Sequence, residues 1–174
     1  MTITEFAPFG VVGSISPVTN PAATVINNAI SIISAGNAAV FNAHPSARRV
    51  SNTAVRLIHR AITGAGGPPG LITSVAEPTI ESARALMAHP DVRVLLVTGG
   101  PGVVREALKS DKRAITAGPG NPPAVVDETA DLDRAAIGTA AGVFGHAGQK
   151  CAARTRCIVV ESVVRTSGPV TSSP

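Results

Sequence analysis

Apolar residues follow two alternating patterns along this chain. Short continuous apolar runs are typical of buried strands, whereas stretches in which apolar residues recur every three or four positions are typical of helices. The runs predict strands over residues 9–15, 38–42, 71–75, 92–97, 114–117, 124–126 and 157–164. The periodic stretches predict helices over residues 20–36, 47–65, 78–88, 103–109 and 131–142.

Helical spacing also predicts which side chains of the first two helices face a core. The first helix begins at Asn20-Pro21, because asparagine is a good N-cap and proline is favoured at the first helical position. Its predicted inward residues are Val25, Ile26, Ala29, Ile30 and Ile33. Those of the second helix are Val50, Ala54, Leu57, Ile58 and Ala61.

Alternation of strands and helices predicts the fold class. It indicates an α/β protein in which right-handed crossovers place helices on both faces of a doubly wound parallel sheet, as in Rossmann-like domains. Ligands of such sheets bind outside the carboxyl ends of the strands. The turns at Asn20, His44, Gly99 and Gly118 follow predicted strands, so we expect them to border a shared crevice.

Composition narrows the class of ligand. With 174 residues, the chain is long enough for a sizeable core, which must be aliphatic because only 2% of the residues are aromatic. The net charge of +4 comes from scattered residues without a basic run or interleaved aromatics, which argues against nucleic-acid binding. A mild positive field favours an anionic small molecule such as a dinucleotide or CoA.

The two cysteines, Cys151 and Cys157, have no nearby histidine or further cysteine at ligand spacing. They therefore indicate neither a metal site nor a disulfide framework, and a reducing cytosol is the expected compartment. The N-terminus lacks a basic segment followed by an apolar one, and no apolar run reaches the roughly 18 residues of a membrane span. We expect neither export nor membrane insertion.

Candidate chemistry lies in the segment GHAGQKCAARTR at residues 145–156. A thiol in a glycine-rich turn is accessible to a substrate, but a free cysteine is also often an inert buried side chain. For Cys151 both interpretations stand, whereas the apolar strand around Cys157 favours burial. His146 is close in sequence to Cys151, but no motif identifies it as a base.

Several segments together resemble the aldehyde dehydrogenase superfamily, and in particular its CoA-acylating branch. They are FGVVGSISPVTNP, AGN, HPSA, VAEPTIESARALMAHPDVRVLLVTGGPGVV, GPGNPPAVVDETADLD and GQKCAARTR, which occur in the family's order up to about residue 164. The resemblance implies a partial dinucleotide-binding domain over residues 1–123, the start of a catalytic domain over 124–164 and a disordered tail over 165–174. Family members are longer at both ends, so we expect a truncated chain.

The resemblance also implies roles for individual residues. Cys151 would be the nucleophile, and the Asn20 amide would stabilise the oxyanion, although Asn20 could instead be only a helix N-cap. The implied cofactor is NAD, without excluding NADP. The residues implied to bind it are Ser16, Pro17, His44, Pro45, Thr98, Gly99, Gly100, Val103, Ala117 and Gly118.

One position bears on whether CoA or water accepts the acyl group. Ala117 occupies the place at which hydrolytic relatives carry the glutamate that activates water, so the resemblance favours CoA as acceptor. The GQKC segment is more similar to the hydrolytic and semialdehyde branches. Three hypotheses follow: a CoA-acylating aldehyde dehydrogenase, a CoA-independent aldehyde or semialdehyde dehydrogenase, and a non-catalytic NAD-binding remnant.

The resemblance implies partners and location as well. The expected partners are a small aldehyde and CoA, with neither nucleic acid nor membrane, and full-length relatives are expected to form homo-oligomers. The expected location is the cytoplasm, with a bacterial microcompartment as an alternative.

Overall fold

The computed structural model describes residue 3 and residues 5–166. The chain forms two compact units, residues 1–119 and residues 120–174. No helix in the described part of the chain is both long and apolar enough to cross a membrane. The tail expected to be disordered lies outside the described residues from position 167 onward, while 165 and 166 end a short helix.

A five-stranded parallel sheet forms the centre of the first unit. Its strands, in chain order, are β1 (Val11–Ser16), β2 (Ala38–Ala43), β3 (Ile72–Ser74), β4 (Val92–Thr98) and β5 (Arg113–Ala117). Their order across the sheet is β3-β2-β1-β4-β5, and all four pairings are parallel. The connecting helices are α1 (Pro21–Ser34), α2 (Arg48–Gly64), α3 (Ile80–Ala88) and α4 (Pro101–Lys109).

Two apolar clusters cover the two faces of this sheet. One joins α1 and α2 to alternate strand residues such as Phe41 and Val94. The other joins α3 and α4 to the opposite set, including Ile15 and Leu95. Because successive side chains of a strand point to opposite faces, neighbours such as Val94 and Leu95 enter different clusters. The predicted fold class, with helices on both faces of a parallel sheet, is confirmed.

The inward faces predicted for the first two helices are partly wrong. In α1, Ile26 and Ile30 are exposed, and the buried positions are Val25, Asn28, Ala29 and Ile32. In α2, Val50, Leu57 and Ala61 are exposed, and the buried positions are Ser51, Ala54 and Val55. Polar residues occupy part of each buried face, which hydrophobicity alone could not assign. Asn28 is accommodated because its amide donates to the Ser14 hydroxyl at 3.2 Å.

The second unit contains a two-stranded parallel sheet of β6 (Pro123–Val126) and β7 (Arg156–Val159). Helix α5 (Leu132–Phe144) and a 3₁₀ turn (Gly145–Gly148) lie between these strands in sequence. The predicted strand at 157–164 is wrong beyond residue 159, since helix α6 (Glu161–Thr166) follows. The Val160 amide still bonds to Val126, after which amides of residues 163 and 164 bond to the Val160 carbonyl.

Candidate functional site

The carboxyl ends of β1 and β2 lie side by side in the first unit. Ser16 is in register with Ala43, and the His44 amide donates to the Ser16 carbonyl at 3.0 Å. His44 is exposed and precedes the short 3₁₀ turn that Pro45 begins. Its Nδ1 accepts a hydrogen bond from the Ser46 amide at 3.2 Å, so this nitrogen acts locally to order the turn.

Ser16 has a buried hydroxyl without a partner. The residue is 2% exposed, and its Oγ makes no hydrogen bond within the described chain. A buried polar group without a hydrogen bond is unfavourable, so such groups are usually paired with protein, water or ligand. Pro17 follows it and is also buried. The Ser16 hydroxyl therefore lies at this end of the sheet with its hydrogen-bonding capacity unused within the described chain.

The carboxyl ends of β4 and β5 are joined in the same way. Thr98 pairs with Ala117, and the Gly99 amide donates to the Ala117 carbonyl at 3.1 Å. Ala117 and Gly118 are exposed, and a Cβ added at Gly118 would meet nothing within 4 Å. An alanine at this strand end leaves open space beside the turn and supplies no carboxylate there.

Gly99 and Gly100 form the turn from β4 into α4. A Cβ on Gly99 would lie 2.6 Å from Cγ1 of Val103, so a larger residue here would force Val103 to move. Gly100 is the N-cap, and Pro101 is the first helical residue. Amides in the first turn of a helix lack intrahelical acceptors and carry partial positive charge, which favours phosphate. With no side chain at Gly99 or Gly100, a ligand can approach this backbone closely.

Asn20 lies at the start of α1. It is exposed at the N-cap position, yet its side chain makes no capping hydrogen bond. The cap function is therefore restricted to the backbone, where Thr24 donates to the Asn20 carbonyl at 3.1 Å. The side-chain amide is available for a ligand.

A cavity between α3 and α4 was missed in the sequence analysis. It has a volume of about 530 Å³ and apolar walls that include Ile80, Met87 and Val103. Charged residues stand at its rim, where Nε of Arg84 lies 3.8 Å from the Glu106 carboxylate. Helical periodicity places these residues on one face of each helix, but only the packing of the two helices creates the space between them.

Cys151 is exposed in a turn of the second unit, so it is not an inert buried side chain. The turn follows a segment with an unusual backbone. His146 and Ala147 have φ values of 55° and 52°, and Gly148 also has a positive φ. Residues with a Cβ adopt this left-handed region rarely and at a cost in energy. Such strain is typical of functional sites.

Cys157 lies in β7, as predicted, but it is exposed instead of buried. All four residues of β7 are exposed, because this strand has no buried face among the described residues. Local apolar sequence correctly predicted that Cys157 lies in a strand, but the burial of its side chain depends on what packs against that strand. Within residues 3 and 5–166, no group of three or more potential ligand side chains is arranged to hold a metal ion.

Comparison with known proteins agrees with the geometry. The family model described as "Aldehyde dehydrogenase family" matches residues 1–167. The acetylating acetaldehyde dehydrogenase EutE of Salmonella typhimurium is 52% identical over 164 residues, which are 94% of this chain and 35% of that enzyme. The CoA-propanoylating propanal dehydrogenase of the same organism is 47% identical over 163 residues, with the same coverage of the two chains.

Solved structures show the same fold. Propionaldehyde dehydrogenase of Rhodopseudomonas palustris with bound propionyl-CoA superposes with a TM-score of 0.85 at 44% identity, over 92% of this chain and 36% of that one. A second structure of that enzyme holds CoA and an acylated cysteine. The chain thus spans about a third of the length of the relatives it matches. The length of the match and the level of identity show that the chain belongs to the aldehyde dehydrogenase family.

Proposed function

We propose that this chain carries the cofactor-binding and nucleophile segments of an NAD-dependent, CoA-acylating aldehyde dehydrogenase. The observation that carries the proposal is the exposed Cys151, in a turn that directly follows the left-handed residues His146, Ala147 and Gly148. Its support comes from relatives that are named acetylating acetaldehyde dehydrogenase and CoA-propanoylating propanal dehydrogenase. A short aliphatic aldehyde is therefore the proposed substrate, and CoA the proposed acyl acceptor.

Cys151 would supply the attacking sulfur. Its thiolate would form a bond to the carbonyl carbon of the aldehyde, giving a thiohemiacetal whose oxygen carries negative charge. Loss of a hydride from this carbon would leave a thioester on Cys151. Attack by the CoA thiolate on that thioester would release acyl-CoA and regenerate the Cys151 thiolate. NAD, when bound, supplies the hydride acceptor.

Asn20 is proposed to stabilise the thiohemiacetal oxyanion through its side-chain amide. This role comes from the family resemblance, and it is supported by the exposure of Asn20 and by the lack of a capping bond to its side chain. A preorganised amide donor of this kind stabilises charge that develops during the reaction.

Residues of the first unit fit a dinucleotide. The Gly99-Gly100 turn would bind the pyrophosphate at the start of α4, where open backbone amides and missing side chains favour phosphate. The unpaired Ser16 hydroxyl would hydrogen-bond to the ligand, and His44 would lie beside a ribose. The apolar cavity between α3 and α4 has walls suited to a flat adenine ring.

Ala117 favours CoA over water as the acceptor. Water is a poor nucleophile for a thioester unless a general base removes its proton. Alanine at the end of β5 cannot do so, and the space beside it is open. A thiol needs less assistance, because part of it is already thiolate near neutral pH. The GQKC segment favours the second candidate function, in which water is the acceptor.

The experiment measures NADH formation at 340 nm with the purified chain, propionaldehyde or acetaldehyde, NAD and CoA. We expect turnover that requires CoA and is lost in Cys151→Ala. Cys157→Ala is the matched control and should retain turnover, because it removes the other exposed thiol. NADH formation without CoA would favour water as acceptor. A folded chain that binds NAD but gives no turnover would favour the non-catalytic remnant.

A further inference from the structure

The side chain of Arg154 lies along the C-terminal half of α5. Its Nη1 donates to the Gly138 carbonyl, and its backbone amide donates to the Gly142 carbonyl at 3.1 Å. Two successive turns of one helix therefore bind the same residue. Arg154 is half-buried, whereas the Cys151 side chain three positions earlier is exposed.

Glycine at position 142 makes room for this arrangement. A Cβ added there would lie 2.5 Å from Nη1 of Arg154 and 3.0 Å from its Cδ and Cζ. At Gly138, one turn earlier, an added Cβ would meet nothing within 4 Å. The guanidinium thus occupies the space of the missing side chain at Gly142 and reaches only the backbone oxygen of Gly138.

Between these contacts, the chain forms a closed loop over residues 143–153. The backbone bond from Arg154 to Gly142 joins its ends, as in compact surface loops whose ends lie close together. The left-handed residues His146 and Ala147 lie inside it, together with Cys151. A strained backbone persists only where the surrounding structure holds it.

We propose that Arg154 is a positioning residue that fixes the 143–153 loop, and with it Cys151, against α5. The proposal rests on the proposed function for the importance of Cys151, but the positioning itself does not require turnover. Arginine suits this role because its planar group can lie flat on a glycine surface while donating to a carbonyl. The side chain acts through the loop and is not assigned a contact with substrate.

The test is hydrogen-deuterium exchange of peptides covering residues 143–153 in the folded full chain. Arg154→Ala removes the guanidinium, whereas Gly142→Ala displaces it. We expect each variant to speed exchange of the loop by about tenfold, and the double variant to show no further increase, because both remove one interaction. Gly138→Ala is the matched control with unchanged exchange, and Arg154→Lys should restore part of the protection.

Iodoacetamide labelling as a function of pH separates positioning from general destabilisation. The dependence of the Cys151 labelling rate on pH should change in Arg154→Ala and Gly142→Ala. The dependence of the Cys157 labelling rate on pH should stay the same. Gly142→Ala raises the helix propensity of α5, so unfolding of this helix cannot explain its effect. Peptides from residues 1–119 provide an internal reference for folding.

Unchanged loop exchange in Arg154→Ala and Gly142→Ala, or an equal effect of Gly138→Ala, would overturn the positioning role. The two proposals can fail separately. If the variants alter loop exchange but the unaltered chain gives no Cys151-dependent turnover, the positioning role stands and the proposed function is wrong. Additive effects in the double variant would also overturn the proposal, since they would show that Gly142 and Arg154 act separately.

Discussion

Gly120 approaches the backbone of Cys151 so closely that any side chain there would collide with it. An added Cβ would lie 3.0 Å from the carbonyl carbon of Cys151 and closer still to its oxygen. Because the colliding atoms are backbone, no rotamer change relieves the contact. We predict that Gly120→Ala lowers the free energy of unfolding by about 1–3 kcal/mol, measured by urea denaturation.

Gly118→Ala is the control for this prediction. Its added Cβ would meet nothing within 4 Å, and neither glycine has a positive φ, so both substitutions restrict the unfolded chain alike. We expect a change within about 0.5 kcal/mol. Equal destabilisation by the two substitutions would show that the close contact with the Cys151 backbone is not the reason that glycine is needed at position 120.

At the scale of single residues, sequence predicted that Cys151 lies in a turn, but it did not predict the backbone conformation and hydrogen bonding around the candidate residues. Cys151 in a glycine-rich turn was a prediction, and the structure places it exposed in such a turn. The left-handed backbone at His146 and the orphaned hydroxyl of Ser16 could not be predicted. Both depend on contacts from segments distant in sequence. The assigned site roles stay predictions until variants are measured.

Helix α3 depends on a reciprocal cap at its start. Oγ1 of Thr79 accepts from the Ser82 amide at 3.1 Å, and Oγ of Ser82 accepts from the Thr79 amide at 2.8 Å. Ser82 also donates to Oδ1 of the buried Asn42 at 2.6 Å, which ties the cap to β2. We predict that Thr79→Ala lowers the free energy of unfolding by about 1 kcal/mol.

Thr63→Ala is the control for the Thr79→Ala prediction. Thermal or urea unfolding would measure the free energy of unfolding of both variants. The Thr63 hydroxyl donates to carbonyls of α2 at His59 and Arg60, which is a bond of little net value inside a helix. Its loss should be nearly neutral. A Thr79→Ala variant as stable as Thr63→Ala would mean that the α3 cap adds nothing to folding.

The turn between β6 and α5 contains a carboxylate with a lowered pKa. The Thr129 hydroxyl donates to Oδ1 of Asp127 at 2.7 Å and the Thr129 amide at 3.0 Å, which holds the pKa of Asp127 below its ordinary value of 3.8. A lowered folded-state pKa stabilises the fold above the unfolded pKa, and that contribution is lost as the pH falls through the folded pKa.

Thr129→Ala removes the hydroxyl bond and keeps the amide bond. We therefore predict that the pKa of Asp127 rises toward its ordinary value, because the hydroxyl bond is the larger cause of its lowering. The pKa should not reach that value, because the Thr129 amide still donates to the carboxylate. Carboxyl chemical shifts followed by NMR between acidic and neutral pH would measure this change. A pKa unaltered by Thr129→Ala would assign the whole effect to the backbone amide.

At the scale of elements, the hydrophobic pattern predicted the positions of helices and strands better than it predicted which face of each helix is buried. Every helix and strand of the first unit appears within a few residues of its predicted place. The rotation of α1 and α2 was partly wrong, because the buried faces include Asn28 and Ser51 and leave Ile26 and Leu57 outside. Helix α6 was missed for a similar reason. Its valines continue the apolar run of β7, and only hydrogen bonding distinguishes the two elements.

On the whole-molecule scale, apolar burial is concentrated in one unit. Both core clusters lie entirely within residues 1–119. In the second unit, the buried apolar residues of the described chain are Val126, Ala153 and Val163, and α5 has no buried residue. Apolar burial is the main favourable contribution to folding, and small domains with little of it are marginal.

We therefore predict that residues 1–119 fold when expressed alone, whereas residues 120–174 alone do not. Far-ultraviolet circular dichroism and the dispersion of amide NMR signals would compare the two fragments with the full chain. The larger fragment should unfold cooperatively and bind NAD in a fluorescence titration, since all residues assigned to the dinucleotide lie within it.

A folded 120–174 fragment would contradict the argument from buried area, and it would mean that hydrogen bonds of α5 and the 143–153 loop suffice to order this unit. A 1–119 fragment that folds but does not bind NAD would separate the claim about the fold from the claim about the phosphate site. The fold would remain that of the family, and the Gly99-Gly100 turn would be insufficient as a phosphate site. Gly99→Ala in the full chain would then test the turn and the α3–α4 cavity together, because its added Cβ would lie in the turn and displace Val103 from the wall of that cavity.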